Sequence, residues 1–545
     1  MKKLCLLFCG FVVISCAPDK IPADLLVKNA IVYTVNENFD KASAFVVKDG
    51  KILEIGLKPE LELKYIISET FDAMGSTIVP GLIDAHAHLY GLGIGLQKVN
   101  LVGTKSFDEV LDRVVQFQKE KNVPYIIGRG WDQNDWDVKE FPTNEKLDSL
   151  FPDTPVALER IDGHATIVNS LVLKMTNITS RSKIEGGEVI VKNNQPTGVL
   201  VDNARDVVFE SYPDMDKAFI ARSLKDGADK CIQMGLTSVN DAGLDRVVIE
   251  VIDSLQRNNE MSLRVYAMIS NSDANLDYYL KKGIFKTDRL NVRSVKLYGD
   301  GALGSWGAAM RQEYSDLPGH FGSMTTSPEE IELLAKRIAA TDFQLNTHAI
   351  GDSAVTTIIR TYQKVLKDKS DARWKVEHAQ VATISDIDLF SNNIIPSVQP
   401  THATSDMYWA EDRVGKERIK GAYAYKSLLN KAGIIVLGTD FPVENVNPMH
   451  TFYAAVARKD LNNYPDGGYR IEEGLSRKET LKGMTIWAAY SNFEEDEKGS
   501  IEVGKFADFT VLEKDIMTVP IDSVPNVKVV ATFINGEKVY ELSPQ

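Results

Sequence analysis

From Leu25 onward the chain alternates apolar and polar positions with the two-residue period of half-buried strands. The run LLVKNAIVYTVN from Leu25 is rich in β-branched residues. So is AFVVKDGKILEIG from Ala44, which is interrupted by Asp49 and Gly50, a pair suited to a two-residue hairpin turn. The far end repeats this material in GKFADFTVLEKD from Gly504 and in VKVVATFINGEKVY from Val527, which turns at Asn535 and Gly536. Neither set is large enough to stand alone. The pattern therefore predicts one small β-domain built from both chain ends, 16–79 with 496–545.

Between these ends, short apolar runs alternate with stretches of helical period, as in 328–341 and 353–366. Eight such runs end near His88, Asp241, Ser270, Lys296, His348, His378, His402 and Asp440. Eight βα units predict an α/β fold, a closed (β/α)8 TIM barrel over 80–495. Roughly 140 residues separate the first run from the second, far more than one crossover helix needs. The excess predicts an insertion over about 91–233. It contains YIIGRGWDQNDW from Tyr125 and VALERIDGHATIVNS from Val156, which read as structured segments rather than linkers.

Composition fits this size of fold. The 545 residues are 44% hydrophobic and 25% charged, which excludes wholesale disorder and supports more than one folded unit. The 62 Lys and Arg against 76 Asp and Glu leave a net charge of −14, so no nucleic-acid partner is expected.

Three of the four cysteines, Cys5, Cys9 and Cys16, fall in the first sixteen residues. There Lys2 and Lys3 precede an apolar run over 4–14 and the small Ser15, which reads as an export signal over 1–15. The run is too short to span a bilayer, which takes about 20 residues. VISC, ending at Cys16, resembles a bacterial lipobox, which implies an acylated Cys16 and a lipid-anchored protein of the cell envelope. An ordinary signal peptide is the alternative. With only Cys231 further along, no disulfide framework is expected.

Five of the eight histidines, His86, His88, His348, His378 and His402, sit at predicted strand ends. In IDAHAHL the first two are two residues apart, so their rings share a face, which in a closed barrel is the interior. LNTHAIGD with His348, WKVEHAQ with His378 and IIVLGTDFP with Asp440 place further donors at the carboxyl-end rim, where barrel active sites form. Imidazoles plus a carboxylate are the ligands that Zn²⁺ and similar ions prefer. Singly, each histidine reads as a hydrogen-bonded core residue and Asp440 as a turn residue; together they favour a metal centre. Glu377, next to His378, is expected on the opposite face in a structural role.

These motifs, from PGLIDAHAHL at Pro80 to GKFADFTVL at Gly504, resemble the amidohydrolase superfamily, and within it the amidohydrolase 3 branch that includes N-substituted formamide deformylase. The resemblance implies the barrel-plus-sandwich architecture. It implies one metal on His86, His88 and Asp440 and a second on His348 and His378, most simply two zinc ions. It also places Lys296, in SVKLYGDGALGSWGAA, where a carboxylated lysine bridges two metals. A desolvated lysine deprotonates readily and its amine can take up CO₂. The alternative is an ammonium paired with Asp300 beside a single metal.

The expected reaction is hydrolysis of a non-peptide carbon–nitrogen bond in a small molecule, an amide or an N-acyl or N-formyl amine. Metal-activated water attacks, and Asp440 serves as general acid/base. A deaminase or cyclic-amide hydrolase on the same site, and a non-catalytic binding lipoprotein, are the alternatives. His402 is a candidate for the oxyanion or for orienting substrate, against a structural role. The resemblance favours substrate contacts for Arg160 and His164. Trp131, Asp132 and Trp306 are candidates to line the pocket and favour an aryl or apolar group, with core packing an equally good reading. His320 and His450 are expected to be structural. A homo-oligomer is compatible with the sequence.

Overall fold

The structure, a computed structural model, describes residues 20–213 and 215–543; Cys16 and the export signal lie outside them. The chain divides into two compact units. One comprises the chain up to residue 87, 231–240 and 263 onward; the other comprises 88–230 and 241–262.

The first unit holds a nearly closed parallel barrel. Its strands are Leu82–Ala87, Leu236–Leu244, Arg264–Ser270, Leu290–Tyr298, Gln344–Ala349, Trp374–His378, Ile394–Val398 and Val436–Leu437, neighbours in chain order. Leu82–Ala87, Trp374–His378 and Ile394–Val398 are buried at every position, as expected of parallel strands covered on both faces. Between the first and last strands the barrel is joined just beyond Leu437. The Asp440 amide donates to the His86 carbonyl at 2.8 Å, and Thr439 Oγ1 donates to Asp84 at 2.7 Å. Gly438 makes this approach feasible, because a Cβ there would lie 2.5 Å from the His86 nitrogen.

Helices Pro328–Ala339 and Asp352–Val365 follow the predicted periodicity to within two residues at each end. The first starts at a Ser327–Glu330 capping box with proline in its opening turn.

Two sheets, both in this unit, come from the chain ends. One is four-stranded, in the order Lys51–Gly56, Ala44–Lys48, Ile21–Lys28, Tyr65–Asp72. The other runs Glu537–Glu541, Val529–Ile534, Phe509–Leu512, Thr77–Pro80, Ile31–Tyr33, Lys41–Ala42, so it interleaves the two ends. Asp49 (φ 49°) and Gly50 (φ 75°) turn one hairpin, and Asn535 (φ 55°) and Gly536 (φ 72°) the other. Positive φ at both central residues is the requirement of the type I′ turn. Val27, Phe45 and Val47 of the first sheet share one apolar cluster with Ile78, Phe509 and Phe533 of the second. The buried Arg264 guanidinium meets Asp508 at 2.6 and 2.9 Å, tying a barrel strand to the C-terminal segment.

The second unit has its own mixed sheet, ordered Gly187–Lys192, Gln195–Asp202, Ala165–Val168, Val156–Arg160, Ile126–Trp131, Val99–Asn100. Helix Phe107–Lys121 buries Val110, Leu111 and Val114 in a core with Ile126, Trp131, Trp136 and Leu158.

Three sequence expectations need correction. His402 does not end a strand: the strand stops at Val398, and Pro400 opens a helix, Pro400–Asp406, that carries His402 in its first turn. Asp440 lies three residues past the last strand, in left-handed backbone at φ 62°. Glu377 does not face away from the site. Lys375 and Glu377 share the interior face of their strand, and His378 joins them at the rim because its φ of 71° breaks the strand alternation.

Candidate metal centre

The barrel register brings the donors together. Ser270 pairs with Lys296, Tyr298 with His348, and Ala349 with His378, so successive strands deliver their last residues to one rim. The His348 and His378 rings lie 4.5 Å apart by centroid, and His86 and His378 lie 4.8 Å apart. His86 Nε2 is 3.7 Å from Asp440 Oδ1. His378, His402 and Asp440 each offer a ligand atom, all within 4.8 Å of one another. His88 lies two residues beyond His86, just before helix Leu89–Leu96, as the first residue of the second unit.

Hydrogen-bond partners fix which ring nitrogen is available. A carboxylate only accepts, so His86 Nδ1–H donates to Glu377 Oε2, at 2.6 Å, and Nε2 carries the lone pair. His378 Nδ1 sits 2.7 Å from Gln399 Oε1, which likewise leaves its Nε2 as the ligating atom. Burial holds His86 and His378 below the ordinary histidine value and takes His348 down to about 3, so all three rings are neutral at pH 7. Burial alone would raise Glu377. The His86 ring and the Lys296 and Lys375 side chains hold it at about 2, fully ionised.

Lys296 is buried, with Nζ 3.2 Å from His86 Nε2 and 5.1 Å from the Tyr298 ring centroid. Its alternative partner, Asp300, is engaged elsewhere. Asp300 accepts the backbone N–H groups of Ala309, Ile350 and Gly351, and lies 3.5 Å from His348 Nε2. Burial lowers the Lys296 ammonium from its usual value.

His402 Nε2 is buried without a hydrogen-bond partner among the described residues, 3.9 Å from Asp440 and 4.0 Å from Glu444. The neutral imidazoles of His86 and His378, with lone pairs turned inward, and the nearby Asp440 carboxylate form a donor set that fits a divalent cation.

Other sequence candidates are dispersed. Trp306 (φ 54°) donates Nε1–H to Asp316 and lies under the Arg413 guanidinium at 3.9 Å. In the second unit, Trp131 is fully buried with Nε1–H on the Leu158 carbonyl, the placement of a core residue. Arg160 pairs with Asp132 at 2.6 Å and also with Asp162. His164 is exposed, 2.8 Å from Asp202. His320 meets the Trp306 carbonyl at 2.9 Å, and His450 is half-buried in helix Pro448–Ala457.

Sequence reasoning missed Glu377 and Gln399. The available signal was the spacing of Lys375 and Glu377, two polar residues on one face of an otherwise apolar strand.

Metal-ligating side chains gathered at the carboxyl rim of a parallel barrel lie where barrel enzymes carry out their chemistry. The amidohydrolase family model matches residues 69–540, and the chain belongs to that family. It is a hydrolase acting on carbon–nitrogen bonds other than peptide bonds. Among its relatives is Protein LONG AFTER FAR-RED 3 of Arabidopsis thaliana, 31% identical over 96% of this chain and 92% of the relative. N-substituted formamide deformylase of Arthrobacter pascens is 24% identical over 95% of this chain and 98% of that enzyme. The crystal structure of an uncharacterized metal-dependent hydrolase from Pyrococcus furiosus superposes with a TM-score of 0.72 at 26% identity, covering 91% of this chain and 100% of that one.

Proposed function

We propose that the site is a divalent metal centre, with two zinc ions, that hydrolyses an amide or an N-acyl or N-formyl amine of small size. The observation that carries this reading is the convergence of neutral His86, His348 and His378 with Asp440 at one rim. By the family resemblance His88 would join His86 and Asp440 as a ligand, and Lys296, once carboxylated, would supply a further carboxylate to the metal. Burial, which lowers its ammonium from the usual value, favours that modification. When bound, the metal supplies Lewis acidity, lowering the pKa of water toward about 7 and polarising the scissile carbonyl.

This chain's residues supply the rest. Asp440 takes the proton of the attacking water and delivers it to the leaving nitrogen, a role that needs a carboxylate beside the reacting atoms. His402, with its unsatisfied Nε2, donates to the oxyanion as charge develops on the substrate oxygen. Trp306 lines the substrate approach; Asp132, Arg160 and His164 are the candidates for substrate contact in the second unit. The paired chain-end sheets form the β-sandwich that accompanies the barrel. Export and a lipid on Cys16 complete the reading, and they rest on the sequence of the first sixteen residues alone.

The deformylase relative points to the first substrates to test, N-substituted formamides. The wild-type chain should release amine, lose activity to a chelator and regain it with Zn²⁺. Asp440→Asn should keep the fold and abolish turnover. Undiminished hydrolysis in that variant would overturn the assigned role.

A further inference from the structure

Close to His402, with Glu444 between them, lies a pocket of about 210 Å³. Helix Pro400–Asp406 and its continuation build one wall, because the 3.6-residue period puts Thr401, Thr404, Ser405 and Tyr408 on a common face while His402 points to the adjoining one. Glu444 belongs to both places. It lines the pocket, and its Oε1 lies 4.0 Å from His402 Nε2.

Glu444 is a carboxylate with spare capacity. Its side chain is only 19% exposed, and among the described residues it accepts one hydrogen bond, from Ser405 Oγ at 2.7 Å. No described Lys or Arg comes within ion-pair distance of it; Lys459, in the same pocket, faces Asp522 at 3.7 Å. Asp460 is by contrast satisfied, taking the Tyr408 hydroxyl and the Asn462 and Tyr464 amides. Thr401 adds a second unmet polar group. It is 9% exposed, lines the pocket, and its Oγ1 has no hydrogen-bond partner among the described residues. At the pocket edge, the exposed Tyr408 ring stacks against Tyr464 with centroids 5.7 Å apart.

A partly desolvated carboxylate is best stabilised by a cationic donor, and an aromatic face beside it adds attraction for the same charge. We propose that this pocket is a substrate subsite for an ammonium-bearing group, with Glu444 as the specificity-determining residue. It rests on the proposed amide-hydrolase reading only in placing the scissile bond at the neighbouring His402 and Asp440. The preferred substrate is then an acylated amine that carries a second, free amino group close to the bond that is cut.

The test uses the full chain loaded with Zn²⁺ and two probes of matched shape, benzylammonium and benzyl alcohol, with binding measured calorimetrically or by ligand NMR. Glu444→Gln, checked for an unchanged melting temperature, should weaken benzylammonium at least tenfold and leave benzyl alcohol unaltered. Tyr408→Leu should weaken benzylammonium by a smaller factor. No binding of benzylammonium to the wild type, equal binding to wild type and Glu444→Gln, or equal loss for both probes would each overturn the subsite. Glu444-dependent binding without hydrolysis of any N-formyl or N-acetyl amine would support the subsite while refuting the proposed reaction.

Discussion

Oε2 of Glu377 lies 2.6 Å from Nδ1 of His86, and neither side chain is exposed to solvent. The contact fixes both the tautomer and the orientation of the ring, so that Nε2 faces the rim. Glu377→Gln should therefore lower zinc affinity by about 10- to 100-fold while leaving the fold intact, the usual cost of losing a carboxylate behind a ligating histidine. Competition with a chromophoric chelator measures this directly, and unchanged affinity would remove Glu377 from the account.

The same strand carries a buried cation. Burial lowers the Lys375 ammonium from 10.5 to about 8, against the pull of Glu377 and Glu494, while Nζ donates to Asn492 Oδ1 at 2.8 Å. Between those values the unfolded chain holds the proton more tightly than the folded one. The penalty is complete below pH 8 and fades as pH rises through 10.5. The melting temperature of Lys375→Met relative to wild type should therefore be level up to about pH 8 and fall as the pH rises from there toward 10.5. A gap that does not change with pH would contradict the lowered value.

Arg264 and Asp508 form a two-point ion pair with side chains 1% and 3% exposed, and Arg264 also reaches Asn535 Oδ1 at 2.6 Å. Asp508→Ala strands a buried guanidinium and should cost about 3–5 kcal/mol, the range for breaking a buried pair from one side. Urea denaturation reads the loss; a cost under about 1 kcal/mol would mean that the pair contributes little.

At Gly438 the constraint is space. An added Cβ would approach the His86 nitrogen to 2.5 Å and Asp84 Oδ1 to 2.8 Å, where the barrel's first and last strands meet. Gly438→Ala should lower both melting temperature and zinc affinity, because the displaced backbone carries His86. Equal values for variant and wild type would show that the join is soft.

The barrel was legible because its strands are short, apolar and buried on both faces, with a histidine or lysine at the rim of several. The paired chain-end sheets were legible from two hairpin turns, Asp49–Gly50 and Asn535–Gly536, whose residues tolerate positive φ. His402 and Asp440 were recognisable as residues but misplaced by element: Pro400 starts a helix where a strand end was expected, and the chain closing the barrel turns left-handed at Asp440, past the end of the last strand. Glu377 was hidden by strict alternation, which assigns neighbours to opposite faces. That rule fails at His378, where φ turns positive at the end of the strand. Glu444 gave no local signal at all, because its significance comes from Ser405 and His402, some forty residues away in the chain.

The central claim is that these side chains bind metal for hydrolysis. Elemental analysis of the chain from residue 20 onward, prepared without chelators in bicarbonate buffer, tests it most directly. The account predicts two divalent ions per chain, falling in His378→Ala and Asp440→Ala. Well-folded protein that holds no metal even after added Zn²⁺ would contradict it.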